Sequence, residues 1–381
     1  MSTQDTAKQT EQLKPSHLQF ADAIKGLAIL FVLLYHLVAP CAPKTVINNL
    51  SEDFLCLFFL YSGYFYKPGK NTVTGNIAKR VKSLIVPFVK YSLIFWVAGS
   101  VYLVATKAAP LIEAVKCLRN FFIGAMWNRV IQDWFKLEYY SLGKRYYFLA
   151  DFWFLLALLF ASILFFVIAD KVLRSKAATV ISCLLLFALS GVLTQFQVIM
   201  PYNLHMTPFW TAFLLLGAAA KQFDIFRLPG NKIARWIIGG VLLITGVTVA
   251  MIKEPSLNLF RGSYGENEFI SMLLCLAAMI PFMWGLSMIF VLIEESGIKM
   301  SVLAWAGSHS MTYYLWHMFY GWIISTITGF HILYKEPLED GAVWKSLLVT
   351  AAVIVLCTVH CIVVDKVTQK IKEGRSKSNL T

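Results

Sequence analysis

The stretch FADAIKGLAILFVLLYHLVAP, residues 20–40, decides the fold. At a rise of about 1.5 Å per residue a helix of this length is roughly 30 Å long, the thickness of a bilayer's hydrocarbon core. A cation at the centre of a spanning helix costs roughly 2.5–3.5 kcal/mol, so Lys25 and His36 need a reason to be there. They stand eleven residues apart, almost three full turns. They therefore share one helix face, about 16 Å apart along the axis. A fixed cation near the start of a spanning helix and a titratable base deep within it point to a buried reaction site.

Working outward, the same character holds along the chain. Of 381 residues, 58% are hydrophobic and only 14% are charged, and the mean hydropathy is +0.65. Soluble domains are about 45–50% apolar and about 25% charged. The expected fold class is therefore all-α, a polytopic integral membrane protein of about ten transmembrane helices. The net charge of +13 reads as an orientation signal and anionic-lipid contact rather than nucleic-acid binding. Seven cysteines are scattered with no CxxC and no Cys/His ligand spacing, so neither a disulfide framework nor a metal site is expected. The apolar run Gly26–Ala39 has the length of a signal peptide, but Pro40, Pro43 and the many further spans argue against cleavage.

Residues 1–18 read as a polar, disordered cytoplasmic tail, residues 19–366 as one membrane domain and residues 367–381 as a basic cytoplasmic tail. Ten spans are expected: 20–40, 50–66, 80–105, 150–169, 178–197, 208–221, 233–252, 268–293, 306–328 and 343–364. With both termini inside, the inner segments hold twenty Lys and Arg and the short outer loops five, as the positive-inside rule requires. The 106–149 stretch disagrees: it falls outside yet carries seven cations. Its many aromatic residues suggest interfacial helices or a lid. No repeat relates the two halves, and the carboxylates Asp22, Glu52, Asp53, Asp151 and Asp365 lie near span ends, which weakens a transporter reading. There is no Walker-type loop, HExxH or GxSxG.

Several residues carry chemistry. A neutral imidazole at His36 is suited to general-base work on an alcohol, and burial favours that form. A purely structural hydrogen bond between helices is the alternative. Lys25 either pairs with Asp22 one turn back or contributes its charge to a ligand. Arg80 and Lys82 stand at the expected inner start of the third span, where cations and a helix N-terminus suit phosphates, although topology alone also explains them. His317 orients His36 or an acceptor, or is a satisfied structural histidine. Trp153 is an aromatic-belt anchor or a sugar platform. Glu52 or Asp53, near His36 in depth, offers a carboxylate to fix its tautomer. Ser62, the Gly63 amide and Tyr64 are candidate donors to an oxyanion.

Six segments in order carry a resemblance. They are Asp22-Ala-Ile-Lys25 with Tyr35-His36, Phe58-Phe59-Leu-Tyr-Ser62-Gly63-Tyr64, and Arg80-Val-Lys82-Ser-Leu-Ile-Val-Pro87. The others are Trp153-Phe154-Leu155, Pro201-Tyr-Asn203 with Leu215-Leu216-Gly217, and Gly307-Ser-His309-Ser310 running to His317. Together they resemble membrane acyltransferase family 3 over roughly residues 18–366. The family often has Arg where this chain has Lys25, so a bidentate grip on phosphate is not available there.

The resemblance implies that His36 is catalytic and that Lys25, Asp22, Ser62, Gly63, Tyr64, Arg80, Lys82, Trp153, Asn203 and His317 surround the substrates. It implies an acyl-CoA donor, acetyl-CoA being expected and succinyl an alternative, with no permanently bound cofactor. The implied acceptor is a hydroxyl of a cell-surface or lipid-linked carbohydrate, and the implied location a bacterial plasma membrane. A secondary transporter or flippase, and a non-catalytic sensor or anchor, are the readings from other classes.

Overall fold

A computed structural model describes residues 19–39, 46–106, 110–112, 115, 152–196, 198, 200–252, 262–264, 267–329 and 342–378. The tail at 1–18, Asp151 and nearly all of the 106–149 stretch lie outside the described residues.

Eleven α-helices form the described fold: α1 (Gln19–Leu37), α2 (Val46–Tyr64), α3 (Val73–Ala105), α4 (Trp153–Val172), α5 (Lys176–Gln195), α6 (Thr207–Gln222), α7 (Lys232–Ile252), α8 (Glu268–Glu295), α9 (Ser301–Ser308), α10 (Ser310–Thr328) and α11 (Ala342–Ser378). A short 3-10 helix, Pro201–Met206, joins α5 to α6. All ten expected spans coincide with helices, the ninth divided at His309 between α9 and α10. Within the described residues, seven helices are long and apolar enough to cross a membrane: α1, α3, α4, α5, α7, α8 and α11.

The exceptions have physical causes. With 16 residues, α6 reaches only about 24 Å. The polar residues of α2 (Asn48, Asn49, Glu52, Asp53) and of α10 (Ser310, Thr312, His317, Ser325) lower their hydropathy. Helices that line a polar interior need not be apolar all round.

The expected boundary of the third span is corrected. Thr72 accepts the Gly75 amide through Oγ1 (3.1 Å), an N-cap that starts α3 seven residues before Arg80. Hydropathy missed these two turns because they are polar. At the other end of the chain, α11 carries the basic tail onward as helix to Ser378.

Lipid offers no hydrophobic drive between helices, so close packing holds the bundle together. The central element is α1, which touches α2, α8, α9, α10 and α11. Its first turn is anchored by the Phe20 amide, which donates to Glu294 Oε1 of α8 (3.0 Å). Gly26 of α1 and Gly307 of α9 let two backbones meet: a β-carbon on Gly26 would strike the Leu303 carbonyl, and one on Gly307 the Asp22 carbonyl. Aromatic contacts fix α1 against antiparallel α2, with Phe31 stacked on Phe54 (centroids 3.9 Å) and Phe20 edge-on to Tyr64 (5.8 Å).

Candidate active site

The two candidate side chains of α1, Lys25 and His36, lie in different surroundings. At its N-terminal end, Lys25 Nζ lies 2.6 Å from Asp22 Oδ1 and 5.0 Å from the Phe65 ring centroid. Asp22 is buried, and the facing ammonium offsets the cost of burying its carboxylate. At the C-terminal end, His36 is half-buried. Its ring centroid lies 5.2 Å from that of His317, which is fully buried on α10.

The aromatic residues around this imidazole pair are continuous with α4. Tyr314 lies 6.2 Å from His317 and 5.5 Å from Phe154, and Phe154 adjoins the half-buried Trp153 (6.4 Å). Trp153 therefore belongs to the His36 end of the bundle. Asp53 is buried one residue before Phe54, the partner of Phe31. That puts it within about 8 Å of His36 in depth, five residues along α1.

Ser62, Gly63 and Tyr64 are not beside His36. Tyr64 packs on Phe20, sixteen residues from His36, or about 24 Å along α1. They share the Lys25 end, so the expected oxyanion role beside His36 is corrected. Hydropathy fixes how far each helix extends and says little about which residues of two helices share a level. Gly63 has a packing task instead, since a β-carbon there would strike the Leu214 carbonyl of α6. Tyr64 stacks on Phe226 (5.7 Å), with Lys221 Nζ 5.7 Å from its centroid.

Arg80 is also not where a helix N-terminus would place it. It sits about 10 Å beyond the start of α3, half-buried, and donates Nε–H to Ser162 Oγ of α4 (2.9 Å). Ser162 is the tenth residue of the 20-residue α4, and its own hydroxyl donates to the Leu158 carbonyl (2.6 Å). No carboxylate among the described residues pairs with this guanidinium. Ser162 is one turn from Phe165, which packs on Tyr66 (4.9 Å) beside the Phe65 that Lys25 faces, so a planar fork with further N–H donors stands toward the Lys25 end. Lys82, two residues on, is exposed. It is not brought to Arg80's partner.

Asn203 stands in the connection before α6. Tyr202 and Asn203 take left-handed φ values of 56° and 54°, which Asn tolerates better than Tyr. The neighbouring His205 secures the turn. Its Nε2 donates to the Gly262 carbonyl (2.9 Å), while its Nδ1 accepts from the Met200 amide (3.5 Å). Burial holds this imidazole below the ordinary range, against the upward pull of the Gly262 carbonyl and the Glu268 charge.

Two polar clusters join residues that the sequence does not pair. His309, at the α9–α10 break, contacts the Trp305 carbonyl through Nδ1 (2.8 Å) and Asp365 of α11 through Nε2 (2.9 Å). Arg227 and Arg235 meet Glu294 and Glu295 where α8 ends, with Arg235 2.9 Å from Glu295. The Glu294-Glu295 dipeptide closing an apolar run was the available signal. Five cysteines among the described residues are free and buried, and no group of three potential metal ligands forms among those residues.

Fold and site together define an integral-membrane helical protein whose central helix bears an imidazole at one end and a paired ammonium at the other. A family model described as an acyltransferase domain matches residues 18–366, nearly the whole chain. The chain belongs to the acyltransferase 3 family and is an acyltransferase. Searches of curated proteins and of solved structures returned no match.

Proposed function

We propose that the protein moves an acyl group, acetyl in the first instance, from acyl-CoA to a hydroxyl of a cell-surface or lipid-linked carbohydrate. The observation that carries this reading is the half-buried His36 imidazole on the central helix of an acyltransferase, beside a second imidazole. A ring nitrogen of His36 takes the proton of the acceptor hydroxyl as its oxygen attacks the thioester carbonyl carbon. The tetrahedral intermediate then expels the thiolate with cleavage of the C–S bond. The imidazolium returns its proton to that sulfur, leaving an ester and free coenzyme A.

Arg80 supports a role in holding the donor. Its guanidinium is committed to Ser162 through Nε alone among the described residues, so the rest of the fork is available to an anionic or carbonyl oxygen. Lys25 offers a further positive charge toward the same end, partly neutralised by Asp22. Trp153, half-buried beside Phe154 and Trp210, supplies the aromatic surface against which a sugar ring stacks. The donor approaches from the basic, cytoplasmic side and the acceptor from the opposite side of the plasma membrane, so the acyl group crosses while the glycan stays in place.

Mass spectrometry of surface glycans from cells with and without the protein tests this reading. A mass increment of one acetyl group that disappears with the gene is the expected result. Unchanged glycan masses would overturn the assigned acceptor class, and a succinyl increment would replace the donor.

A further inference from the structure

A general base at His36 must be held in a productive orientation. His317 Nδ1 lies 2.7 Å from the Tyr314 carbonyl oxygen and 3.1 Å from that of Tyr313. Carbonyl oxygens only accept, so Nδ1 carries the proton and, in the neutral ring, Nε2 keeps its lone pair. The helix thus sets the tautomer of His317 through its own backbone. The His36 and His317 centroids are 5.2 Å apart and the planes are tilted by 48°. Ring nitrogens lie roughly 1.1 Å from a centroid, so two imidazoles joined by an N–H···N bond of about 2.9 Å have centroids about 5 Å apart.

The surroundings keep the second ring in place. Tyr313 Oη and Thr358 Oγ1 are 2.6 Å apart, tying α10 to α11. Gly321, one turn beyond His317, approaches Leu37 of α1 so closely that a β-carbon would contact its Cδ2 at 2.8 Å. Full burial also favours a neutral acceptor over a carboxylate, whose desolvation would cost several kcal/mol.

We propose that His317 is the positioning residue for the base. As they stand, the two rings are not hydrogen-bonded through His317 Nε2; a small turn of the neighbouring His36 ring, 5.2 Å away between centroids, brings its N–H onto that lone pair, which fixes the His36 tautomer and turns the other nitrogen toward the acceptor hydroxyl. The same contact steadies the imidazolium once the proton has arrived. His317 neither gains nor loses a proton, and it occupies the place that a carboxylate takes in a Ser-His-Asp triad. This inference rests on His36 being the base.

Side-chain length separates positioning from simple packing. Glutamine reaches the Nε2 location with a carbonyl oxygen, whereas asparagine reaches only the Nδ1 location and restores the bond to the Tyr314 carbonyl. Full-length His317→Gln, His317→Asn and His317→Ala, matched for monodisperse protein, are assayed for acetyl-CoA thiol release with extracted lipid-linked glycans as acceptor. His317→Gln is expected within about tenfold of the parent kcat, and Asn and Ala down by about 100-fold, with the KM for acetyl-CoA changed less than about threefold. Activity restored by Asn but not by Gln would reduce His317 to a helix-packing residue, and an Ala variant at the parent rate would overturn the inference outright. His36→Ala runs alongside. If it stays active the base assignment itself falls, whereas an inactive His36→Ala with an active His317→Ala removes only the positioning role.

Discussion

Gly63 of α2 and Gly217 of α6 meet backbone to backbone: a β-carbon on Gly63 would strike the Leu214 carbonyl, and one on Gly217 the Leu60 carbonyl. Each glycine is the seat of the other helix. Gly26 and Gly307 make the same reciprocal contact between α1 and α9. Any side chain at these positions forces the helices apart, at a cost of about 1–3 kcal/mol or more per site.

Gly217→Leu and Gly307→Leu are therefore expected to lose most of the monodisperse protein on size-exclusion chromatography in detergent. Gly240→Ala on α7, where a β-carbon meets nothing within 4 Å, is the matched control and should be recovered normally. Equal recovery of all three would contradict the close crossings.

Asp22 and Lys25 should depend on one another. Removing the ammonium in Lys25→Met leaves a buried carboxylate (6% side-chain exposure) without its ion pair to Lys25, and the destabilisation should reach about 3 kcal/mol. The double variant Asp22→Asn/Lys25→Met should recover most of the lost thermal stability, read by a scanning unfolding assay. If the double variant is no more stable than Lys25→Met, the pair is not the reason for the ammonium.

Much of this architecture was legible in the sequence, and the parts that were not share one cause. Hydropathy marks where helices run: all ten expected spans coincide with helices, and seven of the described helices are long and apolar enough to cross a membrane. The six quoted segments led to the family. Relative depth between helices is set by side-chain packing and has no one-dimensional signal. Ser62–Tyr64 were consequently expected beside His36, but Tyr64 packs against Phe20. Arg80 was expected at a helix start, although Thr72 caps α3 two turns earlier. Nothing in the sequence pairs Arg80 with Ser162, 82 positions away.

Arg80 should act through its fork as well as its charge. Arg80→Lys keeps a cation but not the planar donors, and Arg80→Ala keeps neither. With the protein still folded, the KM for acetyl-CoA is expected to rise by about tenfold in Lys and about 100-fold in Ala, equivalent to about 1.4 and 2.7 kcal/mol. Unchanged affinity in both would leave the guanidinium as a helix-packing group between α3 and α4.

His205 predicts a pH dependence of stability, and its sign follows from burial. The folded ring binds a proton less readily than the unfolded one, whose pKa is near 6.5. Protonation thus favours the unfolded chain, and stability contributed by the neutral ring is lost as pH falls through about 6.5. His205→Gln keeps an N–H for the Gly262 carbonyl but does not titrate. The fall in thermal midpoint between pH 7.5 and pH 5.5 should be smaller in that variant than in the parent protein, and equal falls would contradict the assignment.

The most direct measurement concerns His36. Parent protein and His36→Ala, both full-length and in lipid nanodiscs, are compared for transfer of radiolabelled acetyl from acetyl-CoA to extracted lipid-linked glycans. Matching size-exclusion profiles and thermal midpoints are expected, with transfer by His36→Ala reduced by about 100- to 10,000-fold, the range for loss of a general base. Transfer by folded His36→Ala at the parent rate would contradict His36 as the base.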